Sequence, residues 1–350
     1  MHLKSFCFLC FTLTILAGMP TGIHAQNSQE ALKYMESINK ELNDITADMW
    51  DYTSAAAHGK SARKIENRRR DVLKSNLEAQ KKIGKMPDFE GDKSYRDSVI
   101  SFLKLSFNVL NNDFAKIVDM EEIAEQSYDA MEAYLLAEER ANQKLNVTSQ
   151  MLSAQQALFG ASHGITMNDS KDKISLKLEA ASEVYKYYNA VYLIFFKSFK
   201  QEAYMIEAQN KGDINAMKQD ADALSKFSAE GIKQVDTLKP FKGDGSVKTD
   251  SKDMLLFYRN EATKDAPILI NFSVKKENFD KIKAAFDAKP QNSRSQADVT
   301  SMNNAVNDYN KASNEYNKVN GESNKRRSEL LNKWNDTVSK FIDKQVPKYK

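Results

Sequence analysis

The chain has 350 residues, 41% hydrophobic and 28% charged, with a formal net charge of +3. That length fits about two domains with at least one buried core, and the near-balanced charge excludes a general case for nucleic acid or an acidic membrane as partner. With only 12 glycines and 6 prolines, tight turns are scarce and long helices are favoured.

At the amino terminus, Lys4 is followed by an uncharged apolar run over residues 5–16, then Pro20 and the small-residue ending Ile23-His24-Ala25. This pattern predicts a cleaved signal peptide over residues 1–25, a mature chain starting near Gln26, and export to the periplasm, cell surface or medium. The apolar run is too short to span a bilayer, and no later stretch approaches the ~20 apolar residues of a membrane helix. Cys7 and Cys10 fall inside the signal, so the mature chain is expected to lack thiol chemistry and disulfides.

The first mature helix carries Ala31, Met35, Ile38, Leu42, Ile45, Met49, Tyr52 and Ala56 at alternating steps of four and three, the seam of a bundle helix. Gly59 is placed to end it in a left-handed turn, and a more polar helix follows over 61–85. Ser94-Tyr95-Arg96-Asp97 has the capping-box pattern and predicts a third helix starting at Ser94. A fourth is expected over 127–159, and whether a break precedes it near Ala124 is left open. Turn-forming residues over 160–170 mark a unit boundary, after which Tyr185, Tyr188, Tyr192, Phe195 and Phe199 form an aromatic seam on a fifth helix that ends near Gly212. A sixth helix, capped by Asp213, runs to Leu238. Beyond it, Pro267 is expected to kink or stop a seventh helix. Residues 268–272 favour strand by propensity but are assigned to helix, since a lone strand has nothing to pair with. The last helix spans 297–345 with a bend expected at Gly321.

Two joints repeat. Phe89-Glu90-Gly91-Asp92 and Phe241-Lys242-Gly243-Asp244 each close one helix and open the next, Gly59 and Gly212 are 153 residues apart, and so are the Tyr34 and Tyr187 of two Lys-Tyr pairs. In each joint the phenylalanine is expected to anchor the helix end, the glycine to turn left-handed and Asp92 or Asp244 to cap the next helix. The expected fold is therefore all-α, an elongated antiparallel helical bundle from a tandem duplication of a four-helix unit, with unit 1 over residues 26–163 and unit 2 over 164–350.

The densest charge feature is Lys60, Arg63, Lys64, Arg68, Arg69, Arg70 and Lys74, read either as a solvated helix face or as a site for an anionic surface. Glu66, Asp71 and Glu78 dilute it, and no aromatic residue interleaves for base stacking, so nucleic acid is not expected. His58 and His163 are the only histidines after residue 25. They do not supply the three or four ligands of a zinc site, and no metal or cofactor is expected. No nucleophile elbow or phosphate-cradling glycine loop occurs, which argues against an enzyme. The aromatic seam is read as core or as the lining of a ligand pocket, and the apolar residues 191–196 as a covered helix or a membrane-active surface.

The Asn- and Tyr-spaced last helix (Asn307-Asp308-Tyr309-Asn310, Glu315-Tyr316-Asn317) and the closing Phe341-Ile342-Asp343-Lys344, taken with the repeat and the signal, give a chain that resembles the Leptospira-type family of exported bacterial surface proteins of unknown function, also found in gut-type Gram-negative bacteria. The resemblance implies export and an all-helical build and supplies no activity. The expected function is a non-enzymatic surface or periplasmic interaction module whose partner is a protein or a cell-envelope component. The alternative is a membrane-active protein similar to helical pore-forming toxins. Nothing in the sequence sets the oligomeric state.

Overall fold

The computed structural model describes residues 15–16, 24–168 and 172–348. Most of the expected signal peptide lies outside the described residues. Among those described, the protein is all-α, with eight long helices packed antiparallel, two of them interrupted by a π-helical turn. The exceptions are the two-residue strands β1 (Ile15–Leu16) and β2 (Met167–Asn168), which pair with each other. No helix among the described residues is long and apolar enough to cross a membrane. The chain forms two compact units, one of residues 1–189 and 340–350, the other of residues 190–339.

The first unit contains α1 (His24–Ala57), α2 (Ala62–Gly84), α3 (Ser94–Asn108), α4 (Phe114–Ala124), α5 (Tyr128–Ser162) and the first part of α6 (Lys173–Lys211). All eight apolar seam positions of α1, from Ala31 to Ala56, are buried. Gly59, at φ +71°, ends α1 in a Schellman motif: its N–H donates to Ala56 O and the Lys60 N–H to Ala55 O. The chain can therefore reverse within four residues, and α2 runs back along α1.

A single run, α3, a π-turn (Val109–Asp113) and α4, makes the next helix. It breaks at Glu125 before Ser127 caps α5, whose Ala130 N–H donates to the Ser127 hydroxyl. The capping box expected at Ser94 does not form. Instead Asp92, two residues upstream, accepts from the Ser94 N–H at 2.7 Å. An aspartate already placed by the preceding turn reaches the orphan donor sooner than the Ser94 side chain can.

The second unit holds the rest of α6, then α7 (Ile214–Thr237), α8 (Ser246–Asn260), α9 (Ala266–Asp287) and most of α10 (Gln296–Gln345). Asp213 caps α7 by accepting from the Asn215 and Ala216 N–H groups. A second π-turn, Glu261–Asp265, separates α8 from α9 and places Pro267 in the first turn of α9. The first π-turn lies 152 residues earlier and has no proline near it, so Pro267 is accommodated by the π-turn and is not its cause. Residues 268–272 are helical within α9, and α10 continues through Gly321 without interruption.

The correspondence extends to burial. Every buried position from Tyr95 to Ile117 has a buried counterpart 152 residues on, from Val247 to Leu269. In the second unit the aromatic seam of α6 is core: Phe195 lies 5.0 Å from Trp334 and 6.1 Å from Tyr258 between ring centroids, and Tyr192 stacks on Phe196. Each such ring buries roughly 150–250 Å².

Candidate functional site

Within the first unit the turn between α1 and α2 builds a cavity of about 550 Å³. Helical spacing explains its walls. Asp51, Ser54 and Ala55 share one face of α1 with His58 just past its end, and Lys64 and Arg68, four residues apart, share one face of α2, with Lys60 in the connection between them. The remaining wall is the end of the chain, Asp343 to Lys348. Phe341 and Val346 are buried and seat that segment, with the Phe341 ring 6.0 Å from Tyr187.

The cavity is asymmetric in charge. Lys60, Lys64, Arg68 and Lys348 line it against only two carboxylates, Asp51 and Asp343. Arg68 Nη1 is 3.2 Å from Asp51 and 3.4 Å from Asp71, and Lys348 is 3.5 Å from Asp343. His58 is held at both ring nitrogens, Nδ1 at 2.8 Å from Asp343 and Nε2 at 3.3 Å from the Pro347 carbonyl. The hydrogen bond from His58, helped by Lys348, holds the Asp343 carboxyl below its ordinary range. Lys60 and Lys64 are exposed and have no ion pair among the described residues.

Helix geometry divides the basic cluster. Lys60, Lys64 and Arg68 meet at the cavity. Arg63 and Lys74 are exposed away from it, and Arg70 pairs with Glu66 at 3.0 Å. Arg69 points inward: it donates to Glu66 and, through Nη1, to the carbonyl of Leu110 in the first π-turn at 2.9 Å. The fourth cation and the second carboxylate come from the chain terminus. The basic cluster is local in sequence, whereas this wall depends on a contact spanning most of the chain.

The two histidines serve separate places. His163 packs on the rings of Phe89 and Phe159, with Nε2 3.6 Å from Asp92. No group of three metal-ligating His, Cys, Asp or Glu side chains occurs among the described residues. Glu90 and Gly91, at φ +52° and +87°, and Lys242 and Gly243, at +47° and +86°, each form the centre of a two-residue turn. Reciprocal backbone hydrogen bonds close it between Phe89 and Asp92 and between Phe241 and Asp244. These φ pairs are those of a type I′ turn.

A second surface feature is the outer face of α5. Residues 145–168 contain no Asp, Glu, Lys or Arg, in a chain that is 28% charged, and within this stretch Val147, Met151 and Leu158 are exposed. Spacings of four and seven put the three on one stripe.

No protein-family model, no curated protein and no solved structure matches the chain.

Proposed function

We propose that this protein is an exported, non-enzymatic helical interaction module that holds an anionic group of a partner protein or cell-envelope component in the cavity of its first unit. The observation that carries the reading is the pair Lys60 and Lys64, without ion pairs among the described residues, beside Arg68 in one open pocket. A solvated helix face would spread its charges outward and needs no terminal segment folded over it. Export rests on Lys4 and the apolar residues 5–16, and the non-enzymatic assignment rests on the absence of nucleophile and phosphate-loop motifs. The repeated joints, π-turns and burial pattern support a tandem duplication as the origin of the two halves.

The test is crosslinking and pull-down from intact cells with wild type and with Lys60→Ala/Lys64→Ala. Capture lost in the double variant and weakened by added salt is expected. Capture that ignores both would remove the cavity from the function. Sequencing the amino terminus of the exported protein checks the compartment, with a start near Gln26 expected.

A membrane-active protein is the second reading, favoured by the uncharged outer face of α5 with Val147, Met151 and Leu158 exposed. Dye release from liposomes that disappears in Val147→Glu/Met151→Glu would support it. Intact liposomes at micromolar protein would exclude it.

A further inference from the structure

We propose that the cavity of the first unit selects a dianionic phosphomonoester over singly charged anions; this rests on the anion-binding reading above and names its ligand class. The argument begins with charge. Asp51 and Asp71 share Arg68 and Asp343 meets Lys348, which leaves Lys60 and Lys64 as two positive charges with no ion pair among the described residues. A phosphomonoester carries about −1.5 to −2 at pH 7 and presents three terminal acceptor oxygens. A carboxylate, a sulfate ester or a phosphodiester carries one negative charge and leaves one of the two lysines unmatched.

Donor geometry points the same way. Lys64 and Arg68 lie four residues apart on one face of α2, and Lys60 reaches the same cavity from the connection before that helix, so three cationic groups line one side of it. Each ammonium offers three rotatable donors, and neither has an ion pair among the described residues. Arg68 engages both Asp51 and Asp71 through Nη1 alone, which leaves its Nε and Nη2 donors for ligand oxygens. At about 550 Å³ the cavity falls in the usual range for small-ligand sites and is far larger than a bare phosphate needs, so the alcohol carrying the phosphate has room against Ser54, Ala55 and the His58 ring. The segment over residues 343–348 supplies the fourth cation, Lys348.

The experiment is calorimetric titration of the full exported chain at pH 7.5 and constant ionic strength with glycerol 3-phosphate, dimethyl phosphate and acetate. Glycerol 3-phosphate is expected to bind roughly tenfold or more tightly than the other two, as one extra charge near partly screened cations allows. Lys60→Ala/Lys64→Ala should abolish that binding, Arg63→Ala/Lys74→Ala should leave it unchanged, and Asp51→Asn, which adds to the positive excess, should tighten it. Far-ultraviolet circular dichroism of each variant separates a lost site from a lost fold. Vesicles containing phosphatidic acid, compared with phosphatidylglycerol vesicles, distinguish the source: capture by the former alone makes the monoester a lipid headgroup, and soluble binding without vesicle capture makes it a free ester. Equal binding of all three anions, still dependent on Lys60 and Lys64, overturns the selectivity while sparing the anion site. If no anion binds, or binding ignores Lys60 and Lys64, both fall.

Discussion

His58 Nδ1 lies 2.8 Å from Asp343 Oδ1, tying residues 285 apart in sequence and folding the end of the chain over the first turn of the bundle. Asp343 is about half exposed, so the pair contributes little to global stability, and its role is to position the terminal wall of the cavity. Asp343→Ala should therefore leave the melting temperature nearly unchanged while accelerating hydrogen exchange in residues 341–348. The same release is expected in acid. A carboxyl held below its ordinary value near 3.8 contributes fully above that value and loses its contribution as pH falls through the lowered one. Terminal exchange, corrected for its intrinsic pH dependence, should thus rise below about pH 4. Unchanged protection in Asp343→Ala would mean that burial of Phe341 and Val346 holds the segment alone.

The two I′ turns make a paired prediction. At Gly91 and at Gly243 an added Cβ would meet nothing within 4 Å, so the cost of a side chain there is conformational and not steric crowding. Alanine at either site should destabilise by about 1–2 kcal/mol, the usual penalty for the left-handed region, and valine by more. Lys242→Asn should go the other way by up to about 1 kcal/mol, because asparagine tolerates positive φ better than lysine. Urea denaturation of Gly91→Val and Gly243→Val gives the decisive comparison: unequal losses would show that the two joints are not structural equivalents.

These elements also mark how far the sequence could be read. The α1 seam was legible because every apolar residue in it serves one buried stripe, so periodicity and packing agree. Gly91 and Gly243 signalled positive φ, but Glu90 and Lys242 did not, since the common Asn-Gly or Asp-Gly mark of a I′ turn is absent. The same cap pattern occurs at Ser94, where it does not form, and at Ser295, where the box forms in full: Asp298 accepts from the Ser295 N–H and the Ser295 hydroxyl accepts from the Asp298 N–H. Local pattern alone does not tell which cap wins, because at Ser94 the upstream Asp92 competes. In the site, the i, i+4 spacing of Lys64 and Arg68 separates them from Arg69, whereas Lys60 joins them through the turn and Asp343 and Lys348 only by tertiary folding.

Gly231 offers a test of close packing in the second unit. A Cβ there would lie 2.9 Å from Leu255 Cδ2 and 3.3 Å from Ile194 Cγ2, and Leu255 is fully buried. On an open helix face Gly→Ala gains about 1 kcal/mol, but forcing a methyl into a filled core costs roughly 1–3 kcal/mol. Gly231→Ala should therefore be destabilising. Leu255→Val in the same chain should recover part of the loss, because valine has neither of the two Cδ carbons that crowd the added methyl. A stabilised Gly231→Ala would show that Leu255 rotates away freely.

Arg327 of α10 bridges Glu202 of α6 and Glu261 of the second π-turn, and both carboxylates are almost completely buried. Burial pushes the Glu202 carboxyl well above its ordinary range, reinforced by Glu261 beside it and opposed by Arg327. Removing the cation should be severe: Arg327→Met leaves two buried acids without their counter-charge and is expected to cost about 3–5 kcal/mol. The pH dependence comes from the raised value. Between the ordinary glutamate value near 4.5 and the higher folded one, the native state binds more protons than the unfolded chain, so Glu202 makes stability decline as pH rises through that window. Glu202→Gln keeps a hydrogen-bond acceptor for Arg327 but cannot ionise, so relative to wild type its melting temperature should improve progressively from pH 5 to pH 8. Parallel curves for the two proteins across that range would mean that Glu202 is ionised in the folded state, its charge fully met by Arg327.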